Sequence, residues 1–374
     1  MLSGVRPTVL EIDLECIAHN VREFKRLAPE AQLMAVVKAN AYGHGAIQVS
    51  RVALANGATW LGVATVEEGL ELRQAGLDVP ILIFGGILPG QVGSCIEYGL
   101  DCAVAGKDFF SQIKPVLMGL PAGARLFVHL KIDTGMHRLG VVPEDLEDLL
   151  EELKKVPKVS VRGIWTHFAQ SASLDKSFSF HQLAIFQQCV EVVENNLGQI
   201  PLKHTANSGA IINLPQSHYN LIRPGLGIYG YYDELHLAEY VHLKPAVTWK
   251  TKITSVREIP PGETISYGRT YEAPSPMKIA TLPVGYADGY TRLLSNQGQV
   301  LVRGKKANIV GRVCMDQTMV DVSHHEGIKE GEEAVLLGAQ EGNNLTIYEM
   351  SKWAQTIPYE VLVSIAGRVP RIYK

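Results

Sequence analysis

The chain has 374 residues, 46% of them hydrophobic and 20% charged, with a formal net charge of −3 at pH 7. Those values suit a globular enzyme with room for two domains and exclude a disordered chain. No apolar run approaches the roughly 18 residues of a membrane span, and lysine and arginine form no blocks, so neither a membrane nor nucleic acid is expected as a partner. The amino terminus carries no apolar signal region, which places the chain in the cytoplasm as an expectation. Cysteines 16, 95, 102, 189 and 314 form no CxxC pair and no ligand spacing with the twelve histidines. No metal site is expected, and the thiols read as reduced.

In chain order, residues 8–14 alternate apolar with acidic side chains and predict a strand, and 16–27 predict an amphipathic helix stopped by Pro29. From residue 33 one unit repeats, an apolar strand followed by a helical stretch. Strands are predicted at 34–37, 60–64, 81–84, 102–104, 126–132, 161–166 and 202–206, with a weaker one at 221–222. Eight strands alternating with helices over about 200 residues indicate a parallel (β/α)8 barrel rather than an open sheet, and no GxGxxG fingerprint follows an early strand. Near residue 240 the pattern changes to short strands separated by turns, at 247–256, 278–283, 299–302, 307–313, 318–322 and 333–337, with one helical stretch at 347–355. The expected fold class is therefore α/β, with a (β/α)8 barrel over residues 1–239 and a mainly β C-terminal domain over 240–374. The strand at 8–14 could pack with the β domain.

In such a barrel, functional residues gather at the carboxyl ends of the strands. The first of these ends is Val36-Val37-Lys38-Ala39-Asn40-Ala41-Tyr42-Gly43-His44-Gly45. A lysine at the mouth of a buried strand has its pKa lowered by burial, which frees the amine to attack a carbonyl as a Schiff-base nucleophile. A lone lysine snorkelling from a strand end is the plainer alternative. Tyr42 and the glycines at 43 and 45 accompany it, and the glycines let backbone amides approach an anion. Later ends supply Lys131 to Arg138, then Thr166-His167-Phe168, then His204 to Gly209, then Arg223-Pro224-Gly225-Leu226-Gly227. The last two segments combine glycines with a hydroxyl and can present backbone amides and a serine oxygen to a phosphate.

VVKANAYGHG resembles the cofactor-lysine segment of the bacterial alanine racemases, a family dependent on pyridoxal 5′-phosphate (PLP). KxDTGMxRxG, THFA, HxANSxA, RPGLxxYG, SYGxxY, GYADG and GRVCMDQ resemble further segments of that family, in its order and over nearly the whole chain. The resemblance implies that Lys38 holds PLP and acts as one of two catalytic bases. It places Tyr42, Asn207, Ser208, Gly225 and Leu226 around the cofactor, the phosphate in particular, with His167 under the pyridine ring and Arg223 facing its nitrogen. Arg138 would pair with the substrate carboxylate, and Lys131 matches a lysine that some members carbamylate. The second base would be Tyr267, which the resemblance assigns to the other subunit of a head-to-tail homodimer, together with the backbone of Met315. Tyr286, Arg292, Arg312 and Asp316 would line the entrance. A phenol with an ordinary pKa near 10 needs a cationic setting to act as a base at neutral pH.

One departure stands at Gly367, where some members carry a tyrosine just before the final RVPR; a glycine supplies no hydroxyl and leaves a larger pocket. The reading is a PLP-dependent alanine racemase supplying D-alanine for peptidoglycan. The alternatives are a broad-specificity or serine racemase of the same fold and, less well supported by a chain with a β domain, a non-catalytic PLP carrier or regulator.

Overall fold

The computed structural model describes residues 6–374, and these divide into two compact units. One holds Cys16–Ala41 and Gly45–Lys244; the other holds the chain up to Glu15, Tyr42–His44 and Pro245–Lys374.

β1 (Val9–Ile12) belongs to the second unit, where it pairs antiparallel with the strand Val247–Lys252 and parallel with the strand Arg371–Tyr373. The first unit then takes β2 (Gln32–Val36), β3 (Trp60–Val63), β4 (Ile81–Gly86), β5 (Leu100–Val104), β6 (Leu126–Lys131), β7 (Val159–Trp165), β8 (Leu202–His204) and β9 (Leu221–Ile222). These eight strands run parallel in the order β8-β7-β6-β5-β4-β3-β2-β9. The remaining edge is bridged just past the strand ends, where Arg223 N–H donates to Ala206 O at 2.9 Å. Helices cover the outside, as the alternating pattern requires. Parallel strands in a barrel are buried on both faces, which is why Leu33, Met34, Ala35, Leu61, Ile81, Leu82 and Leu130 form near-continuous apolar runs and are fully buried.

The helix Leu14–Leu27 shows the matching pattern of 3.6-residue periodicity, burying Ile17, Val21 and Phe24 on one face. Phe24 lies so close to Gly227 that a Cβ there would fall 2.2 Å from its ring, so the loop after β9 packs on this helix only because residue 227 has no side chain.

In the second unit, β10 (Val247–Lys252) lies centrally in a seven-stranded sheet with β1, β15 (Gln299–Val302), β16 (Lys305–Asn308), β18 (Glu333–Gln340), β19 (Asn343–Leu345) and β20 (Arg371–Tyr373). β11 (Ser255–Ile259), β14 (Met277–Leu282) and β17 (Thr318–Asp321) form a three-stranded sheet, and β12 (Thr264–Ile265) pairs with β13 (Tyr271–Glu272). The single strand expected over 247–256 is thus two. Ile253 N–H still bonds Glu332 O in the larger sheet, but Thr254 N–H bonds Thr281 O, and the chain changes sheets between them. The helix Ile347–Trp353 starts in a reciprocal cap, Thr346 Oγ1 accepting from Glu349 N–H and Glu349 accepting from Thr346 N–H.

Inside the barrel, Gly163 on β7 makes room for the His129 ring on β6: a Cβ at 163 would sit 2.3 Å from His129 Nδ1. Gly163→Ala is expected to lower the free energy of unfolding by about 1–3 kcal/mol, measured as a fall in the urea midpoint. An unchanged midpoint would show that the ring can move aside.

Candidate active site

The mouth of the barrel is built on the chain leaving β2. Tyr229 Oη donates to Val36 O at 2.8 Å and Val36 N–H to Pro224 O at 3.1 Å, fixing the end of the strand. Lys38 follows, and Ala39, Asn40, Ala41 and Tyr42 then form a left-handed turn with φ between 51° and 53°. Left-handed helical backbone costs an L-residue roughly 1–2 kcal/mol, so four in succession need support. Glu68 supplies part of it: one carboxylate oxygen accepts Ala39 N–H at 2.6 Å and the other Ala64 N–H at 2.7 Å. Asn40 contributes its side-chain oxygen to Ala46 N–H at 2.8 Å and its backbone carbonyl to Gly45 N–H at 2.9 Å. Burial and the charge of Arg138 hold the Lys38 ammonium below its ordinary pKa, against the pull of Glu68.

The segment after β6 carries Lys131, Asp133 and Arg138. Asp133 Oδ1 accepts three backbone amides, from Gly135, Met136 and His137 at 3.0–3.1 Å. Burial alone would raise this carboxyl, but the His137 and Gly135 amides and the neighbouring cations hold it below its usual range. The loop it closes presents Arg138 at the surface. Lys131 is 2% exposed, and its Nζ lies 4.8 Å from the centre of the Trp165 ring. Burial and the Arg223 charge bring its pKa down to about 8. Gln182, on the helix Ser177–Leu197, ties this segment to the next: it donates to Thr134 Oγ1 and His167 O and accepts from Ala169 N–H.

Ser208 begins the short helix Ser208–Asn213, capped by Asn207, whose side-chain oxygen accepts from Ala210 N–H and from Ser171. Ser208 Oγ accepts from the amides of Gly225 at 2.8 Å and Gly227 at 3.2 Å. With both lone pairs engaged, its own proton is the group left to offer a ligand. Arg223 is buried; its Nη2 donates to Thr166 O and Thr205 O, and its Nη1 to His204 Nδ1. His167 is held well below its ordinary pKa, first by burial and then by the charges of Arg223, Arg138, Lys131 and Lys38. One neutral imidazole therefore sits among four cationic side chains.

Lys38, Lys131, Arg138, His167, Asn207, Ser208, Arg223, Gly225 and Leu226 thus all belong to the mouth of the barrel unit. Tyr42 closes the left-handed turn and is buried in the other unit, where its ring lies 5.8 Å from that of Tyr359. Tyr267, Tyr286, Arg292, Arg312, Met315 and Asp316 lie in the β unit as well. There Ser266 Oγ donates to Arg312 O at 2.6 Å, and Tyr286 N–H and Ala287 N–H donate to the carbonyls of Cys314 and Met315, both at 3.0 Å. Tyr267, Tyr286 and Met315 are 74%, 43% and 54% exposed. Asp316 accepts from Arg368 Nη2 at 2.6 Å, and the same guanidinium donates to the fully buried Asp288. Arg6 also pairs with Asp288; burial would raise that carboxyl, and the two arginines hold it low.

Sequence reasoning did not single out Glu68, Gln182 or Asp288. Asp288 lies within GYADG and was within reach; Glu68 and Gln182 sit on ordinary amphipathic helices and carry no local signal. Among the described residues no group of three or more His, Cys, Asp or Glu is arranged to hold a metal ion.

Comparison with known proteins agrees along the whole chain. The family model for the alanine racemase N-terminal domain matches residues 12–233, and that for the alanine racemase C-terminal domain matches residues 246–373. The chain is 44% identical over 375 residues to alanine racemase 2 of Caldanaerobacter subterraneus subsp. tengcongensis, covering 100% of this chain and 96% of the relative. It is 45% identical over 373 residues to the alanine racemase of Desulforamulus reducens, covering 98% and 99%. Among solved structures, alanine racemase from D-cycloserine-producing Streptomyces lavendulae superposes with a TM-score of 0.93 at 37% identity, covering 100% of this chain and 98% of that one. The Bacillus anthracis alanine racemase with bound L-Ala-P gives 0.94 at 32% identity, covering 99% and 95%. A parallel barrel with a cationic mouth, followed by a β unit and matched end to end by these relatives, makes the chain a member of the alanine racemase family.

Proposed function

We propose that the chain interconverts L-alanine and D-alanine by a two-base mechanism, with PLP held at the barrel mouth. The observation that carries this reading is the setting of Lys38, a lysine at the end of β2 beside the left-handed turn, whose pKa is depressed by burial and by the charge of Arg138. The donor set fits the cofactor. An aldehyde needs a neutral amine, and burial with the Arg138 charge disfavours the ammonium of Lys38. A phosphate needs donors, for which the Ser208 hydroxyl and the Leu226 amide are the candidates at this turn, with Tyr42 and, on release from Ser208 Oγ, the Gly225 amide as further ones. A pyridine nitrogen facing Arg223 meets a group that only donates, so it is hydrogen-bonded without being protonated.

When bound, PLP supplies the electron sink that makes the amino-acid Cα–H acidic. The chain's own residues do the rest. Arg138 holds the substrate carboxylate, with the Met315 backbone as a second contact. Tyr267 takes the proton from L-alanine and Lys38 returns one to the opposite face, the roles exchanging for D-alanine. Arg223 would provide the positive charge a phenol base requires, and the neutral His167 a hydrogen-bonding group beside it. Support for a head-to-tail homodimer that shares its sites comes from the β unit, which exposes Tyr267, Tyr286 and Met315. Exposed apolar patches of this kind mark interaction surfaces. Tyr286, Arg292, Arg312 and Asp316 would line the entrance. The D-alanine formed would serve cytoplasmic peptidoglycan synthesis.

A broader or serine-directed specificity is favoured by one observation: a Cβ on Gly367 would meet nothing within 4 Å. A non-catalytic PLP carrier does not account for the β unit that matches an alanine racemase domain. Incubation with PLP and L-alanine in deuterated water is expected to give D-alanine carrying deuterium at Cα. Tyr267→Phe is expected to keep bound PLP and to lose most racemisation. Full activity in that variant would remove Tyr267 from the mechanism.

Lys131 is further proposed to exist as a carbamate, formed when its neutral amine adds dissolved CO2 and loses a proton. The resulting anion would lie near Arg223 and Arg138, whose charges both act on Lys131. With 13C-labelled bicarbonate, the expected result is one carbamate resonance, absent from Lys131→Met. An unmodified Lys131 would behave differently. Its folded pKa of about 8, against an unfolded value of about 10.4, makes the unfolded chain bind the extra proton between those values, so stability rises with pH there. Lys131→Met would then be more stable than the native chain below pH 8 and lose that advantage toward pH 10.4. That pattern, without the resonance, would overturn the carbamate.

A further inference from the structure

Within the barrel a row of buried side chains has hydrogen-bond directions set at its two ends, by a donor and by an acceptor. Arg223 Nη1 donates to His204 Nδ1 at 2.9 Å. His204 Nε2 and His129 Nδ1 are 2.8 Å apart, and His129 Nε2 lies 3.3 Å from Asp101 Oδ2. Arg162 Nη1 donates to both Asp101 oxygens, at 2.9 and 3.0 Å. Asp101, His129 and His204 are fully buried, contributed by β5, β6 and β8. Ring contacts pin both imidazoles: Trp165 stacks on His204 with centroids 5.7 Å apart and 7° between the planes, and Trp60 meets His129 edge-on at 5.5 Å.

A guanidinium has donors and no acceptor, so His204 Nδ1 must offer its lone pair. Burial, followed by the Arg223 charge, keeps His204 neutral, which puts its one proton on Nε2. That proton points at His129 Nδ1, which must accept in turn. His129 is also kept neutral, burial outweighing the pull of Asp101. Its proton is on Nε2 and points at Asp101. Every donor in the row faces away from Arg223 and toward the carboxylate.

We propose that Asp101 is a positioning residue for Arg223: by accepting at the far end of the row it fixes both histidines as Nε2–H tautomers, and so fixes the direction in which the arginine donates. The mechanism is one of polarity. Asp101 Oδ2 accepts from both His129 and Arg162, and Oδ1 accepts from Arg162. An asparagine keeps one acceptor and puts a donor in the other place. With its amide nitrogen turned toward His129, that ring must carry its proton on Nδ1, His204 must do the same, and His204 Nδ1–H then opposes Arg223 Nη1–H. With the nitrogen turned the other way, it opposes Arg162. The consequence for catalysis rests on the function proposed above: where Arg223 faces the pyridine nitrogen of PLP, the row keeps that arginine a donor of fixed direction.

The test is a long-range 1H–15N spectrum of the full-length chain labelled at histidine, recorded at neutral pH with and without PLP. His129→Gln and His204→Gln assign the signals. Both rings are expected as neutral Nε2–H tautomers in either state; an imidazolium or an Nδ1–H tautomer at either position overturns the proposal. Asp101→Asn is expected to move at least one ring toward Nδ1–H and to lower kcat for alanine by about tenfold or more, the worth of a hydrogen bond to a charged group, with KM little changed. His204→Gln can accept from Arg223 and donate to His129, and it should retain more kcat than His204→Leu. Unchanged tautomers and kcat in Asp101→Asn, or equal losses in the two His204 variants, would contradict the assignment. Absence of racemisation in the native chain would count against the proposed function alone, since the tautomers are read without turnover.

Discussion

The constraint on which the structure depends is the gathering of positive charge at the end of a parallel barrel. Lys38, Lys131, Arg138 and Arg223 all act on His167, with Asp133 and Glu68 as the opposing charges of the mouth. Burying an unpaired charge is costly, and each cation meets that cost differently. Arg223 spreads its donors over two carbonyls and His204. Arg138 stays at the surface on a loop that Asp133 folds through three amides. The two lysines are driven toward the neutral form. A mouth of this kind suits an occupant bearing both a phosphate and a carboxylate.

The same economy governs the backbone. The turn after Lys38 runs left-handed through Ala39, Asn40, Ala41 and Tyr42, none of them glycine. Such conformations persist only where surrounding structure over-determines them, and they concentrate at functional sites. Glu68 has two duties here, bridging the amides of Ala39 and Ala64 while its charge opposes the loss of the Lys38 proton. Because the turn fixes the direction in which the chain leaves β2, the position of the lysine and the strain beside it are one feature.

How much of this could be read in advance follows from how local each signal is. The barrel strands were legible because strands buried on both faces leave continuous apolar runs; even the two-residue β9 falls at 221–222 as expected. The seven-residue helix Pro358–Ser364 was missed because it is short and its inward residues are chiefly Val361 and Leu362. The break between β10 and β11 was missed because Ile253 and Thr254 are as strand-prone as their neighbours, and only hydrogen bonding to two different sheets separates them. At the candidate site, the residues named from the sequence lie in consecutive motifs, and the distant residues that hydrogen-bond around them were not named. Nothing local marks Asp101, Glu68 or Gln182, each of which acts through a partner at least 25 positions away or on another strand. The left-handed turn was hidden for the opposite reason, since Ala39-Asn40-Ala41 carries no glycine to announce positive φ.

The central claim is that Lys38, of the two mouth lysines driven toward the neutral form, is the one that takes the carbonyl. The most direct measurement is to add PLP to the full-length chain, reduce the adduct with borohydride and map the modified peptide. The account requires the pyridoxyl group on Lys38, with Lys131 unlabelled and Lys38→Ala taking up none. Label on Lys131, or label spread over surface lysines with no preference for Lys38, would contradict it.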